Sequence, residues 1–335
     1  MIPIVKAQFI HDLEDGQAVD SIFLVKSKRL RPFKNKPGHY MELELGDATG
    51  VISARIWDNA EQLDQGFDEH SAVRIKGQIE EWQQSCQIRV NTIKPCALEE
   101  YDPADLLPQT AHAVDELEEK LLSLAQSFTN PHLKQLITAF LKDSDFMHAF
   151  KQAPASVRIH HNWIGGLIEH VTSVVEIAEV VCTVHPEINR DLLMTGVLLH
   201  DIGKIHEYRW QPDFAYTDEG NLIGHLVIGE RMVAERIADL EGFPTELAQQ
   251  VRHMLLSHHG TTEFGAVKVP MTLEAVALHQ VENMDAQIQR VVSIIESQRK
   301  DGVTWTDYDR SMGRRLFMGT DHAEANKHQP GGDSS

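Results

Sequence analysis

The chain has 335 residues, 42% apolar and 24% charged, with a formal net charge of −19. That is an ordinary globular composition, long enough for two domains with sizeable cores. No apolar run approaches the ~20 residues that span a bilayer, and the opening MIPIVKAQFIHD lacks a signal-peptide layout, so neither a membrane protein nor a secreted one is expected. Cys86, Cys96 and Cys182 are scattered and lack CxxC spacing, which fits a reducing cytoplasm and excludes a disulfide framework or a zinc ribbon.

Taken in order, the chain has two grammars. Residues 1–98 read as an all-β barrel, with short strands in SIFLVKSKRL, HYMELELGD, GVISARIW, SAVRIKGQI and CQIRVNTI, separated by the turn-forming NKPG and DATG. Five strands suit a small closed barrel better than a sandwich. No acid lies between Ser21 and Met41, whereas Lys26, Lys28, Arg29, Arg31, Lys34 and Lys36 crowd together there. Phe33, Tyr40, Trp57 and Trp82 lie on or near the same strands. Cations that track phosphates beside aromatics that stack on bases are what single-strand binding requires, even in an acidic chain. The competing reading places the tryptophans in the barrel core and the lysines on a solvated face.

A Pro-containing acidic stretch at 99–113 reads as a linker, and 114–318 as an all-α domain. Helical periodicity is expected in VDELEEKLLSLAQSF, in HLKQLITAFL behind Pro131, after Gly165-Gly166, and in INRDLLMTGVLLHD, HLVIGERMVAERIADL, TELAQQVRHMLLSHH and TLEAVALHQVENMDAQIQRVVSIIESQ. The polar, Gly- and Pro-containing 319–335 is expected to be disordered.

The helical half also holds most of the chemistry. His170, the adjacent His200 and Asp201, His225, and the pair His258-His259 each end or begin an apolar segment, and Glu282 and Asp285 follow. One histidine on an apolar helix is usually a hydrogen-bonded core residue, the role expected of His185, His206, His253 and His279. For the joint set, burying so many imidazoles and carboxylates without a shared partner is costly, and divalent metal removes that cost. Asp201 is placed to bridge two ions and His200 to bind one. Gly203 lets the chain leave the helix, and Lys204 brings an ammonium to the same mouth for a phosphate oxygen.

The order H…HD…D on a helical domain resembles the HD-domain metal-dependent phosphohydrolases. The blocks HHNWIGGLIEH, INRDLLMTGVLLHDIGKIHEY, YTDEGNLIGHLVIGE, LLSHHGTTEFG and LHQVENMDAQ, with the barrel in front, resemble the YhaM-type 3′-to-5′ exoribonucleases. The resemblance implies an N-terminal all-β OB-fold barrel plus a C-terminal all-α HD domain. It also implies two divalent ions bridged by Asp201, one held by His170, His200 and a late carboxylate, the other by His225 and His258. His259, Lys204 and the pair His160-His161 become candidates for catalysis or for holding the substrate phosphate. The family's last ligand is usually an aspartate followed three residues on by an acid; here Glu282 takes the first position and Asp285 the second. The donor set suits Mn²⁺, Co²⁺ or Fe²⁺. The expected partner is single-stranded RNA, or single-stranded DNA, with self-association left open. A small-molecule nucleotide phosphohydrolase and a non-catalytic OB/HD nucleic-acid-binding protein are the alternatives.

Overall fold

The computed structural model describes residues 5–82, 85–157, 162–299 and 302–319. Its first half is a closed barrel of β1 (Ala18–Pro32), β2 (His39–Asp47), β3 (Gly50–Ile56), β4 (Ala72–Trp82) and β5 (Ser85–Pro95), in the order β1-β2-β3-β5-β4. Neighbours run antiparallel except β3 and β5, whose parallel contact at Ser53–Arg55 closes the ring. This five-stranded barrel is an OB-fold. The long β1 serves two partners: Ala18–Leu24 pairs with β4, Leu24–Pro32 with β2, and a bulge between Val25 and Ser27 bends the strand between them. Alternation buries Ile52, Ala54 and Ile56 and turns Val51, Ser53 and Arg55 outward. In the β2–β3 turn, Asp47 accepts hydrogen bonds from the Thr49 amide and hydroxyl. Its other oxygen lies 3.3 Å from the buried Lys6 ammonium. A short helix, α1 (Ala60–Leu63), joins β3 to β4.

The second half is helical: α2 (Val114–Ser127), α3 (Pro131–Leu141), α4 (Ser144–Gln152), α5 (Gly166–Val184), α6 (Arg190–Leu199), α7 (Lys204–Glu207), α8 (Asp218–Leu222), α9 (His225–Ala238), α10 (Thr245–Ser257) and α11 (Leu273–Gln298). Sequence periodicity passes over α4, the short α7 and α8, and a hairpin of β6 (Tyr208–Arg209) and β7 (Ala215–Tyr216) between those two. α4 is started by Asp143, which accepts from the amides of Asp145 and Phe146. α6 is buried along nearly its whole length and α5 around its first three turns, so these two helices form the centre of the domain.

The stretch read as a linker is packed. Tyr101, Leu106 and Leu107 join Ile22, Leu24 and Ala72 of the barrel and Ile164 and Phe214 of the helical half in one buried cluster. Among the described residues no helix is long and apolar enough to cross a membrane. Residues 320–335, the bulk of the tail expected to be disordered, lie outside the described residues.

Candidate metal centre and nucleic-acid face

Asp201 lies between two groups of imidazoles. His170 comes from the buried α5, His200 and Asp201 from the end of α6, His225 from the first residue of α9, and His258-His259 from the end of α10. Gly203, at the start of α7, makes the approach of α7 to α9 possible, since a Cβ there would lie 2.1 Å from the His225 carbonyl oxygen. Its backbone is right-handed (φ −61°), which corrects the reading of Gly203 as a helix exit: the requirement is close packing, not a left-handed turn. Gly260 does carry a positive φ of 80°, and its missing side chain leaves room for the His279 ring.

One carboxylate oxygen serves each group. Asp201 Oδ2 is 3.3 Å from His200 Nε2 and 3.7 Å from His170 Nε2. Asp201 Oδ1 is 3.5 Å from both His225 Nε2 and His258 Nε2. The His259 Nε2 completes the second group, 3.2 Å from that of His225.

All five rings are anchored through the opposite nitrogen. Nδ1 of His170 donates to Asp285 (2.7 Å) and Nδ1 of His225 to Glu207 (3.0 Å). Those of His200, His258 and His259 donate to the carbonyls of Val197 (2.8 Å), Leu255 (2.8 Å) and Phe264 (2.9 Å). A neutral ring protonated at Nδ1 presents a bare lone pair at Nε2. Two such lone pairs face each other at 3.3 Å (His170, His200) and two more at 3.2 Å (His225, His259). The buried Asp201 Oδ1 and His258 Nε2 have no hydrogen-bond partner at all. Converging lone pairs and orphaned buried acceptors are unfavourable by themselves and are what a cation needs, with the anchors supplying the outer support that ligand histidines take. The residues fit divalent metal.

Electrostatics point the same way. Burial pushes His170 and His259 down to about 4 and His258 well below its ordinary value, so these rings stay neutral. His200 differs: burial opposes its charge most, but Asp201, Glu282 and the Val197 carbonyl together raise its pKa. Burial also works against the Asp201 carboxylate, yet Lys204 and His200 hold it well below the usual range. The ammonium of Lys204, 2.6 Å from Asp201 Oδ2, thus stands where cationic charge is wanted. The two late carboxylates divide. Asp285 holds His170, whereas Glu282 is pushed up to about 7 by burial and feels the charges of His200, Asp201 and Lys204. His160 and His161 lie outside the described residues.

A pH dependence follows. An ordinary histidine titrates near 6.5, whereas His170 and His259 in the folded, metal-free protein titrate near 4. For these two rings, and for His258, the unfolded chain takes up protons first, and a stability contribution complete above about 6.5 is lost as pH falls towards 4. Glu282, pushed up to about 7, and His200 work in the opposite direction, but they are two groups against three. Chelated protein is expected to melt at a lower Tm at pH 5 than at pH 7.5; an equal or higher Tm at pH 5 would contradict the neutral, buried imidazoles.

On the barrel, Phe33, Tyr40 and Trp57 are half-buried and form one aromatic cluster on its outer face, with Tyr40 and Trp57 stacked at 5.0 Å and Phe33 tilted 5.5 Å from Tyr40. Lys36 lies 4.0 Å from the centre of the Phe33 ring. Trp57 also borders a hollow of about 810 Å³ shared with Asn59, Arg89, Asn91 and Lys94, of which the sequence reading had none. The basic run splits. Arg29, Arg31, Lys34 and Lys36 are exposed, with Arg31 bonded to Glu42. Lys28 turns back to donate to the carbonyls of Asp64 and Phe67 (2.6 Å each), and Lys26 pairs with Asp213 of the helical half at 3.3 Å. The side chain of Trp82 is outside what is described. Sequence reasoning also missed Glu207, which accepts from His225; its only signal is a carboxylate within the HDIGKIHE run.

A family model described as "HD domain" matches residues 167–287. A 3′-5′ exoribonuclease YhaM of Listeria monocytogenes serotype 4b is 32% identical over 287 residues, covering 85% of this chain and 90% of that one. This chain belongs to the YhaM family. The YhaM of Geobacillus sp. (strain WCH70) is 32% identical over 320 residues, covering 93% of this chain and 96% of its own length. For that of Shouchella clausii the figures are 31%, 84% and 87%. In this YhaM-family chain the HD match runs from the first turn of α5 into α11 and so encloses every imidazole of both groups, together with Asp201, Glu207, Glu282 and Asp285.

Proposed function

We propose that the protein is a metal-dependent 3′-to-5′ exoribonuclease that hydrolyses phosphodiester bonds of single-stranded RNA, with single-stranded DNA as a second substrate. The observation that carries this reading is one buried carboxylate shared by two anchored sets of imidazoles, in a YhaM-family chain with an aromatic, basic OB-fold face. When bound, two divalent ions, Mn²⁺ or Co²⁺ with Fe²⁺ also suited, supply activation of a water and charge neutralisation at the scissile phosphate. His170, His200, Asp201 Oδ2 and Glu282 would hold one, and His225, His258, His259 and Asp201 Oδ1 the other. This moves His259 from the substrate to the metal and leaves Asp285 as the residue that orients His170. Lys204 holds a substrate phosphate oxygen beside Asp201. Phe33, Tyr40 and Trp57 stack on bases while Arg29, Arg31, Lys34 and Lys36 follow the backbone. The reducing cytoplasm suits the three free thiols.

The test is to strip the protein with chelator, restore Mn²⁺, and offer 5′-labelled RNA, 5′-labelled DNA and free nucleotides. A ladder shortening from the 3′ end, absent without metal, is expected. Cleavage confined to free nucleotides would favour the small-molecule phosphohydrolase, and RNA binding without hydrolysis under any divalent metal would favour the non-catalytic protein. Asp285→Asn is expected to lower metal affinity or turnover by about 10–100-fold, the usual effect of losing an outer anchor. An unchanged metal titration and rate would remove Asp285 from the site.

A further inference from the structure

The hairpin of β6 and β7 touches both halves of the molecule. At its base, Glu207 immediately precedes β6 and accepts from both the backbone amide and Nδ1 of His225, each at 3.0 Å. The Thr217 amide, just beyond β7, donates to the Glu207 carbonyl and closes the base. Within the hairpin, Tyr208 packs edge-on against Tyr216 with ring centres 5.1 Å apart. At its tip, Asp213 is only 6% exposed, and both of its oxygens are engaged by the barrel. Lys26 Nζ stands 3.3 Å from Oδ1, and His70 Nδ1 hydrogen-bonds to Oδ2. Next to it, Phe214 is buried among Ile22, Leu24 and Ala72 of the barrel. His70 is held at φ 68°, a left-handed conformation uncommon outside glycine, and one of only two such non-glycine residues among those described. A buried carboxylate engaged by a cation and an imidazole of another domain fixes register between the two more firmly than apolar packing alone, because each bond is directional.

We infer that Asp213 is a positioning residue: it sets the barrel, and the RNA strand on it, in register with the metal centre through the hairpin whose base anchors His225. This rests on the exoribonuclease reading above. It predicts a dependence on substrate length. A substrate that reaches the barrel needs the register, whereas a small phosphodiester that occupies only the metal centre does not.

The experiment compares Asp213→Asn and His70→Asn with the parent in the full, Mn²⁺-loaded chain. Asparagine keeps the shape of the aspartate and tolerates the left-handed backbone at position 70. Substrates are a long single-stranded RNA and bis(p-nitrophenyl) phosphate. For the RNA we expect KM to rise about 10-fold with kcat little changed, while kcat/KM for the small diester and the bound metal stay at parental levels. The double variant should be no worse than Asp213→Asn alone, since both remove the same contact. Equal losses on both substrates, or loss of metal, would overturn the inference by making Asp213 a support of the metal centre. Parental KM for RNA in both variants would also overturn it. Failure of the parent itself to cleave RNA would instead count against the exoribonuclease reading.

Discussion

Asp201→Ala is expected to lower RNA hydrolysis by at least about 10³-fold, the largest effect of any single change. The carboxylate offers one oxygen to each imidazole group, so its removal dismantles both at once. Charge stabilisation of several kcal/mol at a metal-assisted transition state, with about 1.4 kcal/mol per factor of ten, gives that magnitude. The alanine also leaves Lys204 buried without its carboxylate, so Asp201→Asn serves as the companion, keeping shape and a hydrogen-bond acceptor for the ammonium. Both variants are expected to be folded by circular dichroism and inactive with Mn²⁺. Activity within 10-fold of the parent in either would mean that the reaction does not run at this carboxylate.

Replacing Tyr40 and Trp57 together by alanine is expected to raise KM for single-stranded RNA by at least about 30-fold while kcat changes little. Each stacked base is worth roughly 1–3 kcal/mol, and the two rings form one platform, so removing one does not leave the other intact. Their half-buried position matters here. Rings that served only the barrel core would unfold the domain when truncated, lowering Tm and kcat together. An unaltered KM with an unaltered melting curve would place the RNA elsewhere on the molecule.

Much of this was legible from residue type and spacing. Five alternating runs become the five strands, because alternation of side chains is a property of the strand itself. The histidines at helix ends converge because helix ends bring side chains together around a common point, and α5 and α6 are apolar enough to be the domain's centre. What stayed hidden depends on contacts far apart in sequence or on the backbone. Lys26 and Lys28 belong to the same basic run as Arg29 and Arg31, yet a bulge at Val25–Ser27 and the partners Asp213 and Asp64 take them out of the exposed face. The carbonyls of Val197, Leu255 and Phe264 that orient three of the rings have no residue signature at all. Glu207 sits where helix and hairpin meet, so no periodicity marks it, and only the fold brings it to His225. The departure at Glu282 from the family's usual aspartate had put the last ligand in question. Asp285 Oδ2 accepts from His170 Nδ1 and Glu282 feels the charges of His200 and Asp201, which is the basis for proposing Glu282 as the ligand and Asp285 as the anchor.

The central claim is that a single carboxylate joins two metal sites. It is tested most directly by titrating chelator-stripped protein with Mn²⁺ and counting bound ions per chain, in the parent and in Asp201→Ala. The account predicts two ions in the parent and loss of tight binding at both positions in the variant. A parent that saturates with one ion, or a variant that still binds two, would contradict it.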